Sequence, residues 1–220
     1  MTAPTVLIVA RAPVPGEAKT RLAAAVGDDA AALVAAAALR DTIDAAESTG
    51  WPVCVALTGD LARAPMAAEL SSALERHHVV EQRGDDFAER LAAAHVDADR
   101  GAGVVQIGMD TPQADSSMLR DAGDALHDHD AALGGAKDGG WWLLGVRDPH
   151  HADCLRSVPM STPRTGERTL EALRRRGARV AEMPPLTDVD TWDDALEVGA
   201  YAPDTRFAAV VERVRVGDVA

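Results

Sequence analysis

Aromatic side chains are scarce in this sequence, at 3% of its 220 residues. The hydrophobic fraction is nevertheless 47%, which is ordinary for a globular protein, so disorder is not expected. The core must therefore consist mainly of Ala, Val and Leu, and helices rich in Ala can pack closely against a sheet. The sequence contains no linker or internal repeat that would divide it, and we predict a single domain over residues 1–220.

Cysteine and long apolar runs are also rare. Cys54 and Cys154 are the only cysteines; they lie far apart and lack the spacing of a metal site, so we expect both to be reduced. No apolar stretch approaches the ~18 residues of a membrane span, and the N-terminus lacks the pattern of a signal peptide. These absences predict a cytoplasmic protein.

Basic residues are outnumbered by acidic ones. The chain has 22 Lys and Arg against 35 Asp and Glu, for a net charge of −13, which argues against nucleic acid or an anionic membrane as a partner. A small phosphate can still bind an acidic protein where a few cations and a metal ion converge. Lysine occurs only at positions 19 and 137, and this sparing use favours a functional role for Lys19.

Several well-known catalytic motifs are missing. The sequence has no G-x-S-x-G elbow, no phosphate-binding P-loop and no G-x-G-x-x-G turn, which disfavours a hydrolase, a P-loop kinase and a dinucleotide-dependent dehydrogenase. Its seven histidines show no zinc-binding spacing.

What is present is a regular alternation of strand-like and helix-like segments. Strands are predicted at residues 5–11, 52–58, 78–82, 103–109, 131–135, 141–146 and 179–183. Helices are predicted from Asp28 or Asp29 to near Gly50, over 65–76, 87–98, 115–127, 169–176 and 204–216, and from a capping box at Thr191; residues 147–165 are expected to be irregular. This alternation predicts an α/β fold, with a mostly parallel central sheet and helices on both faces, that binds ligands at the carboxyl ends of its strands.

The loop after the first strand carries Lys19 and Arg21 to the start of a helical pattern. Free backbone N–H groups and two cations at such a junction suit a phosphate. The alternative interpretation is a solvated basic pair that opens a helix.

Carboxylates follow two later strands. Asp110 ends the strand predicted over 103–109, where it can hold Mg²⁺ or Mn²⁺; as a cap for the next helix, Asp115 is the better candidate. Asp188 and Asp190 lie in a later loop, where alternate residues point to opposite sides. We therefore expect one of the two to bind the metal, and the residues leave open which one.

A third candidate segment is Asp138-Gly139-Gly140-Trp141. Paired glycines allow a ligand to approach the backbone closely, and Asp-Gly is also a strong signal for a hairpin turn. We predict that Gly139, Gly140 and Trp141 line a bound substrate, with Asp138 as a candidate catalytic residue.

Four segments together resemble a bacterial family. They are residues 10–22 (Ala-Arg-Ala-Pro-Val-Pro-Gly-Glu-Ala-Lys-Thr-Arg-Leu), 108–112 (Gly-Met-Asp-Thr-Pro), 138–145 (Asp-Gly-Gly-Trp-Trp-Leu-Leu-Gly) and 188–191 (Asp-Val-Asp-Thr). In this order they resemble the small nucleotide-diphospho-sugar transferase-like proteins labelled as arsenosugar-biosynthesis-type glycosyltransferases. The Lys-Thr-Arg-Leu and Asp-Val-Asp-Thr segments are also similar to those of guanylyltransferases that act on small phosphorylated acids.

The resemblance implies a GT-A type α/β fold with a nucleotide held at the loop after the first strand. It also implies a divalent metal, Mg²⁺ or Mn²⁺, at Asp110 with help from Asp188 or Asp190. The predicted nucleotide-binding residues are Ala10, Arg11, Pro13, Gly16, Lys19, Arg21, Gln82 and Arg83.

The leading hypothesis is a metal-dependent glycosyltransferase that uses a nucleotide-activated sugar and a small-molecule acceptor, with catalytic roles for Asp110 and Asp138. One alternative is a nucleotidyltransferase that acts on a nucleoside triphosphate and a phosphorylated small molecule. A second alternative is a non-catalytic nucleotide-binding protein on the same fold.

Overall fold

The structure, a computed structural model, describes residues 3–218 and contains a central seven-stranded sheet. The strands are β1 (Thr5–Arg11), β2 (Val53–Thr58), β3 (His78–Glu81), β4 (Val104–Gly108), β5 (Ala131–Ala136), β6 (Trp141–Val146) and β7 (Val180–Leu186). Their order is β3-β2-β1-β4-β6-β5-β7. β6 runs antiparallel to β4 and β5, whereas the other pairs are parallel. The predicted α/β fold with a mostly parallel sheet is confirmed.

Helices occupy most of the connections between the strands. They are α1 (Thr20–Val26), α2 (Asp28–Glu47), α3 (Ala67–Leu74), α4 (Phe87–Ala98), α5 (Ser116–Ala125), α6 (Thr165–Arg175), α7 (Trp192–Tyr201) and α8 (Arg206–Arg215), with 3₁₀ helices at Leu61–Arg63 and Pro149–Ser157. Over residues 3–218, none of the helices combines the length and the apolar character needed to cross a membrane.

The side chains of β1 alternate between two cores, as the period of a strand requires. Val6 and Ile8 join a core formed with α2, α3 and α5. Leu7 and Val9 join a second core, formed with α4, α6 and the longer 3₁₀ helix. A third cluster around Phe207 joins α1, α2, α7 and α8. Since helices cover both faces of the sheet, a polar site has to be built from the loops at the strand ends.

Local signals set some helix boundaries. α4 spans the predicted residues 87–98, and the Asp86 side chain caps it by accepting from Glu89 N–H. The predicted capping box is also present, with Thr191 and Asp194 bonding each other's backbone N–H at the start of α7.

Other boundaries differ from the prediction. The expected cap at Asp28 or Asp29 is wrong, because Gly27, at φ 85°, separates α1 from α2 and both aspartates lie in the first turn of α2. α6 begins at Thr165 rather than 169, and the segment expected to be irregular contains the 3₁₀ helix Pro149–Ser157. That the whole chain forms a single domain stays a prediction.

Candidate functional site

Lys19 lies at the start of α1 with its backbone in the left-handed region, at φ 53° and ψ 45°. Non-glycine residues seldom adopt this conformation, which costs about 1 kcal/mol or more and is often found at functional sites. The Lys19 ammonium lies 2.7 Å from Asp110 Oδ1 and 3.2 Å from Asp190 Oδ1, and 12% of the side chain is exposed. Burial alone would lower the pKa of Lys19, but the two carboxylates outweigh it and raise the pKa, so the ammonium stays charged.

A backbone hydrogen bond joins the two loops that supply the carboxylates. Val189 N–H donates to the carbonyl oxygen of Asp110 at 2.8 Å. The buried Gln113 holds the same loop, since its Nε2 donates to the Thr187 carbonyl at 2.7 Å. The loop after β7 is therefore fixed against the end of β4. Asp188 and Asp190 are the residues of this loop that flank Val189.

Asp190 is the partner of the two cations. It accepts from Lys19, and its Oδ2 lies 3.1 Å from Arg21 Nη2. The Arg21 side chain is 73% exposed, so it is accessible to a ligand from solvent. The structure thus brings the predicted residues Lys19, Arg21, Asp110 and Asp190 together at the carboxyl ends of β1, β4 and β7.

Asp188 has the opposite environment. In the part of the chain that the structure describes, no basic side chain lies within 4.0 Å of its carboxylate, the limit for an ion pair. Burial, followed by the negative charges of Asp110 and Asp138, raises its pKa from 3.8 to about 7, although Lys19 partly offsets this. Asp188 is therefore a carboxylate held beside other carboxylates without a direct counter-ion.

The turn between β5 and β6 brings Asp138 close enough to act on Asp188 electrostatically. Asp138 is exposed, and its Oδ1 accepts from Gly140 N–H at 2.7 Å. Packing requires glycine at position 139, because a Cβ there would lie 1.9 Å from the Pro163 carbonyl oxygen at a φ of 90°. Trp141 packs partly against the core on the α6 side of the sheet. Sugar or acceptor binding by Gly139, Gly140 and Trp141 stays a prediction.

The other predicted nucleotide-binding residues fall into two groups. Ala10 and Pro13 are buried in and after β1, whereas Arg11 and Gly16 are exposed. Gln82 donates through Nε2 to the carbonyls of Ala10 in β1 and Ala56 in β2, at 2.8 and 2.9 Å, so it holds the carboxyl ends of these two strands together.

Arg83 does not join the Lys19 cluster. It forms a two-pronged pair with Asp97, at 2.7 and 3.0 Å. Its predicted contact with a nucleotide would require that pair to open.

The carboxylates fit a divalent ion that shares its coordination with phosphate and water. Among residues 3–218, no three His, Cys, Asp or Glu side chains are grouped so as to hold a metal by themselves. Mg²⁺ commonly binds through one or two carboxylates plus substrate phosphates. Asp110 and Asp188 suit that mode, because burial first and then the neighbouring negative charges raise the pKa of Asp188, and a bound cation would offset both effects.

Sequence reasoning missed Gln113 as a positioning residue. The sequence offers only a weak indication of this role, since Gln113 is one polar residue in the turn after Asp110-Thr111-Pro112. Its partner, the Thr187 carbonyl, lies 74 residues away, and only the folded chain reveals the contact.

The fold was compared with those of solved structures. A proposed nucleotide-diphospho-sugar transferase of Desulfovibrio desulfuricans G20 matches with a TM-score of 0.85 and 28% identity, over 99% of this chain and 96% of that one. The Rv0371c protein of Mycobacterium tuberculosis, in a complex with manganese, matches with a TM-score of 0.54 and 22% identity over 90% and 98%. The 4-diphosphocytidyl-2C-methyl-D-erythritol synthase of Anaerococcus prevotii matches with 0.58 and 10% over 90% and 98%. The last two comparisons show a shared fold alone.

The sequence was also compared with protein families and with curated proteins. No curated protein gives a significant match. A family profile described as "Uncharacterized protein conserved in bacteria (DUF2064)" matches residues 39–162, which is more than half of the chain. The protein therefore belongs to the DUF2064 family of bacterial proteins, and it has the nucleotide-diphospho-sugar transferase fold.

Proposed function

We propose that the protein is a divalent-metal-dependent glycosyltransferase that takes a sugar from a nucleoside diphosphate. The observation that carries this proposal is the meeting of Lys19 with Asp110 at 2.7 Å, at the carboxyl edge of the sheet and beside Asp188. Cations for a diphosphate and carboxylates for a metal then lie in one place. The Desulfovibrio desulfuricans protein described above is a proposed nucleotide-diphospho-sugar transferase by its name, which agrees with the sequence-based prediction of a transferase enzyme.

Lys19 and Arg21 are the proposed phosphate-binding residues. Lys19 is a buried point charge next to Asp110, and Arg21 is exposed at the rim with a planar guanidinium suited to phosphate oxygens. Both are held by Asp190, whose role in this proposal is to orient the cations. Gln82 holds the end of β1, and in this proposal the loop that follows β1 supplies the backbone surface for the nucleotide.

Asp110 and Asp188 are the proposed metal ligands. Asp188 is preferred over Asp190 because Asp190 is already engaged by two cations, whereas Asp188 forms no ion pair within the described residues. A bound Mg²⁺ or Mn²⁺ would supply charge neutralisation for the departing nucleoside diphosphate. The manganese complex of the Mycobacterium tuberculosis protein of the same fold is consistent with such an ion.

Asp138 is the proposed acceptor of the proton that the attacking hydroxyl loses. It is exposed on the turn after β5, and its Oδ1 is held by Gly140 N–H. Its contribution to the raised pKa of Asp188 supports a position near the proposed metal ligands. A base must lie within hydrogen-bond reach of the reacting proton, and the rigid packing of Gly139 keeps Asp138 in position.

The product released by the purified protein tests the proposal. The protein would be incubated with Mn²⁺ and a panel of nucleotide sugars with small hydroxyl acceptors, and release of nucleoside diphosphate would be measured. Asp110→Asn should reduce turnover by at least about 100-fold, as expected for loss of a group that stabilises developing charge. Asp121→Asn, at an exposed position of α5, is the matched control and should keep full turnover.

Nucleotidyl transfer to a phosphorylated small molecule is the second candidate. The observation in its favour is the absence of the Asp-x-Asp metal motif that is common in glycosyltransferases. Asp110 is followed by Thr111-Pro112, so the second carboxylate comes from the loop after β7. The same assay with nucleoside triphosphates and phosphorylated acceptors would then release pyrophosphate. Nucleotide binding that survives Asp110→Ala, without turnover on either panel, would favour the non-catalytic alternative.

A further inference from the structure

Lys19 contacts the same carboxylate that the proposed function assigns to the metal. Its ammonium lies 2.7 Å from Asp110 Oδ1, closer than to Asp190 Oδ1 at 3.2 Å. A divalent ion on Asp110 would lie next to this ammonium, and like charges repel strongly at such a range where water is largely excluded. In the ligand-free protein, Lys19 and a metal ion therefore compete for Asp110.

Lys19 has little freedom to leave. Its backbone is held in the left-handed conformation at the start of α1, and 12% of its side chain is exposed. Lys19 also lines a small cavity together with apolar residues that include Leu22, Met109 and Phe207. The ammonium can therefore turn only within the carboxylate cluster, unless another anion is brought to it.

A diphosphate is such an anion. The second cation, Arg21, is also paired with an acid, Asp190, at 3.1 Å. Phosphate oxygens that bind Lys19 and Arg21 would break the ion pairs that these two cations form with Asp110 and Asp190. The carboxylates would then be open to a divalent ion at the same moment as the diphosphate arrives.

We infer that Lys19 is an internal counter-ion that keeps the metal affinity of the ligand-free protein low, and that a bound diphosphate raises this affinity by drawing Lys19 away from Asp110. Since this inference rests on the function proposed above, its test must separate the two. Binding of the metal and of the diphosphate would be cooperative, and each would strengthen the other by the same factor.

Direct titration with Mn²⁺ tests the counter-ion role. Bound and free Mn²⁺ would be measured by electron paramagnetic resonance for the wild type, Lys19→Met and Arg21→Met. The control Arg21→Met removes the same charge nearby, but from a side chain that contacts Asp190 and not Asp110. Without diphosphate, Lys19→Met should bind Mn²⁺ about tenfold more tightly than the wild type, within the usual range of coupling between sites, and Arg21→Met should gain clearly less.

Inorganic pyrophosphate, at matched free Mn²⁺, provides the second part of the test. It should tighten Mn²⁺ binding to the wild type by about tenfold and tighten binding to Lys19→Met clearly less, because that variant keeps the phosphate oxygens as metal ligands but has no ammonium to displace from Asp110. An affinity of Lys19→Met that is no better than that of the wild type would overturn the inference. If Asp110→Asn still abolished Mn²⁺ binding in that case, the proposed metal site would stand. No Mn²⁺ binding by any variant, with or without pyrophosphate, would overturn both.

A measurement on the wild type tests the inference even if the Lys19→Met variant folds poorly. Because the sequence has only two lysines, ¹⁵N-lysine labelling gives two side-chain NMR signals, and Lys137→Met assigns them. Mg²⁺ with pyrophosphate should shift the Lys19 signal and leave that of Lys137, which is paired with Glu197 on the surface. A Lys19 signal that stays unchanged at saturation would equally contradict the inference.

Discussion

Val189 donates its backbone N–H to the carbonyl oxygen of Asp110 at 2.8 Å, and this bond joins two loops that are distant in sequence. This hydrogen bond fixes the positions of Asp188 and Asp190, which flank Val189. Asp190 pairs with Lys19 and Arg21, whereas Asp188 has no ion-pair partner among residues 3–218 and experiences mainly the negative charges of Asp110 and Asp138. One backbone contact thus separates a carboxylate that holds cations from one that lacks a cation.

The first prediction concerns the loss of folding stability that the ionised Asp188 carboxylate causes. Its pKa is raised from 3.8 to about 7, so the folded state binds its proton more tightly than the unfolded state does, and ionisation destabilises the fold. This cost is absent below about pH 4, grows as the pH rises to 7 and is constant above that. Asp188→Asn should therefore stabilise the metal-free protein at pH 8 by about 2 kcal/mol, below the limit of about 4 kcal/mol that the shift allows.

Urea denaturation of Asp188→Asn and the wild type at pH 4 and pH 8 checks this expectation. The stability difference should be present at pH 8 and small at pH 4, and Asp121→Asn should show neither effect. Added Mn²⁺ should stabilise the wild type but not Asp188→Asn, because a ligand stabilises the state that binds it. An Asp188→Asn protein that is less stable than the wild type at pH 8 would refute the assigned environment.

The second prediction concerns His95, which lies in α4 and is fully buried, with both ring nitrogens lacking a hydrogen-bond partner among the described residues. Burial lowers its pKa from 6.5 to about 4. The unfolded state therefore takes up a proton first, and stability falls as the pH drops from 6.5 towards 4, by at most about 3 kcal/mol.

His95→Leu should remove this decline, whereas His127→Leu, at a half-exposed histidine, should leave it unchanged. Thermal or urea unfolding between pH 4 and 7 provides the comparison. If His95→Leu loses stability over this range as steeply as the wild type does, another group causes the decline.

The third prediction concerns the turn that carries Asp138. An alanine side chain at position 139 would meet the Pro163 carbonyl at 1.9 Å and adopt a strained φ of 90°. Gly139→Ala should cost more than about 2 kcal/mol and displace Asp138, so turnover should fall in the protein that remains folded. Gly135→Ala, in β5 with nothing within 4 Å of the added carbon, is the matched control, and equal stability of the two variants would disprove the packing role.

The fourth prediction separates scaffold from ligand contact at Gln82. Its amide nitrogen donates to both Ala10 and Ala56. Gln82→Glu keeps the shape of the side chain but places a carboxylate oxygen against two backbone carbonyl oxygens. At pH 8 the substitution should therefore lower the free energy of unfolding by about 2 kcal/mol. Gln82→Met loses the two bonds without adding charge and should cost less. Denaturant titration measures both, and a Gln82→Glu protein as stable as the wild type would show that these hydrogen bonds do not stabilise the ends of β1 and β2.

The local signals in the sequence predict several elements well. The bounds of α4 follow from an apolar helical period and the Asp86 cap, Asp115 caps α5 as expected, and the Thr191 capping box opens α7. These features depend on residues within a few positions of each other. The predicted cap at Asp28 or Asp29 failed because the left-handed Gly27 divides the Ala-rich stretch into α1 and α2, and an alanine pattern by itself does not reveal that break.

The sequence by itself determined the alternation of strands and helices, the resemblance to a nucleotide-sugar-type fold, and the candidate residues at the strand ends. It could do so because those features depend on short-range periodicity and on residue types in order. The tertiary structure decided that β6 lies antiparallel between β4 and β5, that Lys19 pairs with Asp190 171 residues away, and that Asp188 rather than Asp190 lacks a cation. Contact distance, burial and the local electric field depend on which strands become neighbours, and only the folded chain sets that.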